Sequence, residues 1–196
     1  FQAGISYSPT NSIRGNGANK AFFGMNTDNN EDRLNNFVDA AVKYNGEFRG
    51  VSLEVGTGYS RASIEADTNP AVDSSSPSMY NVGVNVGFDG FKVGGAYVHN
   101  NNKQVGANNT AKGYVFGASY DLGSYNLAAS YFHSSREDFA TTKDKLTRIV
   151  AGATYNYSQG STFKGSVHHY NYEDNLNAVA NENKGWAIVL GTGVNF

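Results

Sequence analysis

The chain has 196 residues, a net charge of −2, 23 glycines, 13 tyrosines, 12 phenylalanines, 3 prolines and no cysteine. That length sets one domain as the default, and the lack of cysteine excludes disulfides, thiol nucleophiles and thiolate metal sites. The near-neutral charge gives no basic footprint for nucleic acid, and no apolar run approaches the ~20 residues of a membrane-spanning helix.

A mean hydropathy of −0.47 suits a soluble protein on average. It also suits a membrane barrel, whose strands show lipid only every second side chain. Glycine together with aromatics is a β-rich signature. The opening FQAGIS shows neither a basic n-region nor an apolar h-region and reads as sequence without a signal peptide.

Alternation of period two predicts ten strands, at 1–8, 37–44, 51–60, 79–88, 91–99, 113–121, 125–133, 146–157, 162–172 and 185–196. The first sets Phe1, Ala3, Ile5 and Tyr7 against Gln2, Gly4 and Ser6. The start of the second, LNNFVDAAVK, also admits a helix, and strand ranks above it. The fourth sets Tyr80, Val82, Val84, Val86 and Phe88 against Asn81, Gly83, Asn85 and Gly87. The sixth sets Tyr114, Phe116, Ala118 and Tyr120 against Gly113, Val115, Gly117 and Ser119, and the eighth sets Ile149, Ala151, Ala153, Tyr155 and Tyr157 against Arg148, Val150, Gly152, Thr154 and Asn156. The last, GWAIVLGTGVNF, has Trp186 at one end and Phe196 at the other with aliphatics between, the profile of a strand crossing a bilayer between two aromatic belts.

The connections alternate in length. Asn45–Gly50, Asp89–Gly90, Leu122–Ser124 and Ser158–Ser161 are short, and Asp89-Gly90 is a two-residue hairpin signal. Segments 9–36, 61–78, 100–112, 134–145 and 173–184 are long and rich in Asn, Asp, Ser and Thr. All long loops therefore lie at one end of an antiparallel up-and-down sheet, and no linker marks a second domain. The expected fold is an all-β transmembrane barrel with short turns at the periplasmic end.

Seven charges fall on the small, polar face: Asp39, Lys43, Glu54, Lys92, Asp121, Arg148 and Lys164. In a dry core each would cost several kcal/mol unless paired. Lining water they cost little, which favours a channel; pairing across a plugged interior is the alternative. Lys43, Lys92 and Lys164 fall toward the short-turn end, where the alternative to a free cationic mouth is pairing with Glu47, Asp89 and Asp121. On the opposite face Tyr44, Tyr59, Phe88, Phe91, Tyr120, Tyr125, Tyr131, Tyr157, Trp186 and Phe196 fit an aromatic girdle against lipid. Ala40, Ala129, Ala151, Ala153 and Gly165 lie among them and suit close contact with another protomer.

Other chemistry is weakly signalled. His168-His169 point to opposite faces of a strand and cannot share a metal, so a solvated or interfacial role is expected. Asp28, Glu31 and Asp32 form an oxygen-rich loop that is a weak Ca²⁺ candidate, since it lacks the EF-hand spacing. The GTG at 56–58 and 191–193 sits inside strands and is no phosphate loop, and Asn108-Asn109-Thr110 reads as ordinary loop. No catalytic set and no required cofactor are expected.

FQAGISYSPT, GYVFGASYDLGSYNLAASYFH and GWAIVLGTGVNF together resemble the C-terminal portion of a general diffusion porin of Gram-negative outer membranes. The resemblance implies a 16-stranded barrel of which this chain supplies about ten strands, a homotrimer, and a channel for ions and small hydrophilic solutes. It also implies contact with membrane lipid and lipopolysaccharide, and Phe196 as a C-terminal assembly signal. A complete ten-stranded barrel is the rival account. Two other function classes stay open: a small outer-membrane barrel with a structural, adhesive or enzymatic role, and a soluble lipocalin-like barrel binding an apolar ligand.

Overall fold

The computed structural model describes residues 1–10, 34–64, 76–102, 109–138, 142–158, 160–174 and 181–194. They form ten strands: β1 Gln2–Thr10, β2 Leu34–Phe48, β3 Val51–Ile64, β4 Ser78–Phe88, β5 Phe91–Asn102, β6 Asn109–Asp121, β7 Tyr125–Asp138, β8 Thr142–Ser158, β9 Ser161–Asp174 and β10 Asn181–Val194. All ten lie in one sheet in sequence order, each antiparallel to its neighbours. There is no helix among the described residues, and LNNFVDAAVK is strand throughout.

Two hairpins close through two-residue turns with both central residues at positive φ. These are Arg49 (51°) with Gly50 (77°), and Asp89 (48°) with Gly90 (79°). Such turns twist in the same sense as the strands they join. The predicted turn at Asn45–Gly50 is therefore shorter than expected: the strand runs on through Phe48, and Asn45 pairs with Glu54. The predicted long connection 134–145 is also mostly strand. β7 and β8 stay paired to Asp138↔Thr142, leaving only 139–141 between them. Hydropathy alternation fades there because both faces turn polar, yet backbone pairing continues without it.

Cross-strand register sorts the side chains into two faces. One row reads Val55, Val84, Gly95, Phe116, Tyr131, Ile149, His169, Trp186 from β3 to β10. The adjacent row on the other face reads Glu54, Asn85, Gly94, Gly117, Ser130, Val150, His168, Ala187. The sheet is a single layer without a core. Among the described residues Ala62 and Pro77 are the buried apolar side chains, while Trp186, Ile188 and Leu190 are 74 %, 73 % and 80 % exposed. A water-soluble domain buries such a face under a second layer. The outer edges of β1 and β10 have no strand partner among the described residues.

Candidate functional site: the polar face of the sheet

The apolar face is banded. At the short-turn end Phe91 stacks on Tyr120 (centroids 3.9 Å), Tyr125 on Tyr155 (4.6 Å), and Tyr157 leans on Phe163 (5.4 Å). Phe1 and Tyr44 meet at 5.0 Å on the same face. Toward the loop end a second belt joins Tyr59 opposite Tyr80, Tyr80 beside Tyr97, Tyr114 beside Tyr131, and Trp186 against His169. Along β4, Phe88 and Tyr80 stand in opposite belts, about 27 Å apart at the rise of a strand. That is the scale of the apolar band of outer-membrane barrels. Beyond the upper belt the same face becomes ionic, with pairs Lys143–Glu137 (3.3 Å), Lys145–Glu173 (3.4 Å) and Lys184–Glu182 (2.8 Å).

Register puts Asp39, Lys43, Glu54, Lys92, Asp121, Arg148 and Lys164 on the opposite face, all seven together. Between them stand mostly Gly, Ala, Ser and Asn, with larger Val115, Phe132, Val150 and Tyr170 around Arg148. Several are held locally. Asp39 accepts from Ser6 Oγ at 3.1 Å, Glu54 from Asn85 Nδ2 at 3.3 Å, and Asp121 from the Gly123 amide at 2.9 Å. Lys43, Lys92 and Lys164 have no carboxylate oxygen within 4.0 Å among the described residues. Pairing with Glu47, Asp89 and Asp121 does not occur there. Lys92 is the second residue of β5 and Lys164 the fourth of β9, both close to short turns. Lys43 is placed differently from expectation: β2 continues to Phe48, which lifts Lys43 well away from the turn.

A cluster that the sequence did not foretell surrounds Arg148. His168 is 92 % buried rather than solvated. Its Nδ1 lies 3.0 Å from Arg148 Nη2 and 3.2 Å from the Tyr170 hydroxyl, and its Nε2 lies 2.8 Å from Ser166 Oγ. A guanidinium can only donate, so Nδ1 is the acceptor, and the neutral ring carries its proton on Nε2 and donates it to Ser166. The Arg148 guanidinium also lies over the Tyr170 ring at 5.5 Å. The readable signal was alternation in KGSVHHYNY, which puts Lys164, Ser166, His168, Tyr170 and Tyr172 on one face. That His168 would pack against Arg148 depended on the β8–β9 register, which pairs Val150 with His168. His169 points the other way, onto Trp186 at 4.6 Å.

Among the described residues no group of three or more His, Asp or Glu could hold a metal ion. Asp28, Glu31 and Asp32, Asn108 of the loop triplet, and Phe196 lie outside the described residues.

The family of Gram-negative porins matches the chain over residues 1–175. A solved structure with similar architecture is a loop-L8 deletion mutant of OmpT, an outer membrane protein of Vibrio cholerae. It shares 12 % identity at a TM-score of 0.52, covering 97 % of this chain and 74 % of that one. No curated protein matches.

Proposed function

Because the chain belongs to the Gram-negative porin family and is an outer-membrane β-barrel protein, we propose that its polar face lines a water-filled channel for passive diffusion of ions and small hydrophilic solutes. The observation that carries this reading is the sorting of charge. All seven predicted polar-face charges share one face of a coreless sheet, and the other face carries an apolar band between two aromatic belts. Lipid against the first face would meet unpaired lysines; lipid against the second meets what it solvates best. A lipocalin-like interior would reverse that arrangement.

The proposal includes barrel closure. A strand edge in lipid leaves backbone groups unsatisfied at several kcal/mol each, so the free edges of β1 and β10 require partners. We assign these to further strands of a 16-stranded wall. The chain acts without catalysis or cofactor in this reading. Ala118, Ala129 and Ala151 form one lipid-side row, beside Ala153 paired with Gly165, and this smooth area fits a protomer contact in a trimer. The loop-end ionic rim lies level with lipopolysaccharide headgroups.

Planar-bilayer recording tests the channel: purified protein should add stepwise ohmic conductance at low voltage. Conductance no greater than that of bare lipid rejects the reading.

A further inference from the structure

We infer that Arg148, held by His168 and Tyr170, forms an oxyanion-binding subsite on the channel wall, taking the carboxylate or phosphate group of a small solute. The inference rests on the channel reading above.

The first ground is unmet hydrogen-bonding capacity. A guanidinium carries five N–H donors. Among the described residues Arg148 has a single hydrogen-bond acceptor, the uncharged His168 Nδ1, and its Nε is buried with no acceptor. No described carboxylate lies within 4.0 Å of it. A partly buried cation without a counter-charge is costly, and an oxyanion supplies acceptors at the Nη edge of the guanidinium, the buried Nε lying beyond its reach.

The second ground is preorganisation. His168 is 92 % buried and fixed at both ring nitrogens, by Ser166 on one side and by Arg148 and Tyr170 on the other. The guanidinium is thus oriented before any solute arrives, which lowers the ordering cost of binding. Phe132 and Tyr170 are the direct cross-strand neighbours of Arg148, so aromatic surface flanks it on both sides and reduces its hydration.

The third ground is room. The same cross-strand row ends on β10 at Gly185, the partner of Tyr170, and a methyl group placed there would meet nothing within 4 Å. The next row ends at Ala187. The approach over β10 is open while the approach over β7 is walled by Phe132.

The test is block of single-channel conductance of the protein in planar bilayers, with inorganic phosphate and succinate as separate probes in a constant background of chloride. Arg148→Gln should raise the half-blocking concentration of at least one probe about tenfold, the scale of one charge-assisted pair. Block by phosphate alone assigns the subsite to phosphate groups, and block by succinate alone to carboxylates. Arg148→Lys keeps the charge and loses the fork, and serves if Arg148→Gln fails to insert. It should also weaken block, whereas a diffuse cationic field would leave it unchanged. Lys184→Gln removes an equal charge from the opposite face and should match wild type. A wild type that conducts but shows the same half-blocking concentrations as Arg148→Gln and Arg148→Lys overturns the subsite alone. A wild type that does not conduct overturns the channel reading and the subsite with it.

Discussion

Val84 and Asn85 are consecutive residues of β4 that meet different surroundings. Val84 sits between Val55 and Gly95 on the apolar face, while Asn85 donates to Glu54 on the polar face. A lysine at Val84 should cost about 2–4 kcal/mol near the bilayer midplane. At Asn85 it should cost little, because the new ammonium lies beside the Glu54 carboxylate. Urea titrations of folding into lipid vesicles measure the difference, and equal losses at both positions would remove the basis for assigning the faces. At this scale the sequence was legible wherever a polar residue lay between two apolar ones. It was not legible for His168, whose burial depends on Arg148 twenty positions away being brought alongside by register.

At the scale of the element, strand boundaries were the weakest part of the reading. β2 runs from Leu34 to Phe48 where alternation supported only 37–44, and β8 begins at Thr142 rather than 146. Alternation reports unlike surroundings on two faces, and it disappears where both faces meet water. The ladder does not need it, since backbone groups pair whatever the side chains are. The turns were better marked, and two of them offer a paired test. Gly50 and Gly90 both have φ near 80°, where an L-residue costs about 1–2 kcal/mol. A Cβ at Gly50 would touch nothing within 4 Å, whereas one at Gly90 would lie 2.8 Å from the Asp121 carbonyl oxygen. Gly50→Ala should therefore lose only the conformational term, and Gly90→Ala should lose measurably more. Equilibrium unfolding of the two variants would show whether that order holds.

For the whole molecule, the consequence of a coreless layer is dependence on its surroundings. The protein should stay monodisperse in detergent and aggregate when detergent is removed, because its exposed apolar band has no second layer to cover it. Light scattering across a detergent dilution series checks this. A detergent particle with the mass of one protomer would argue against the trimer. Lys43, Lys92 and Lys164, with no carboxylate within 4.0 Å among the described residues, should bias the channel mildly toward anions. Lys92 and Lys164 lie near the short-turn end of the sheet, and Lys43 farther from it. Changing all three to Glu should shift the zero-current potential in a salt gradient toward cation preference. The shift should shrink as salt rises and the Debye length falls below about 10 Å. An unchanged potential at low salt would mean these lysines do not face the conducting path.

The sequence by itself did not determine the length of every connection, since 139–141 is as short as Leu122–Ser124. It did determine the ten strands of the described residues, their up-and-down order and which residue belongs to which face. Each of these is a local property: period-two alternation assigns faces within a strand, and turn chemistry joins strands that are neighbours in the chain. Only the tertiary structure decided how far the strands extend and which side chains meet across them. Register is a long-range quantity, and a cross-strand contact such as Arg148 with His168 exists only once two strands are aligned. The same reason separates the two lessons about the lysines. Their common face followed from parity in the sequence, while the depth of Lys43 followed from how far pairing carried β2 past the point where its hydropathy pattern ends.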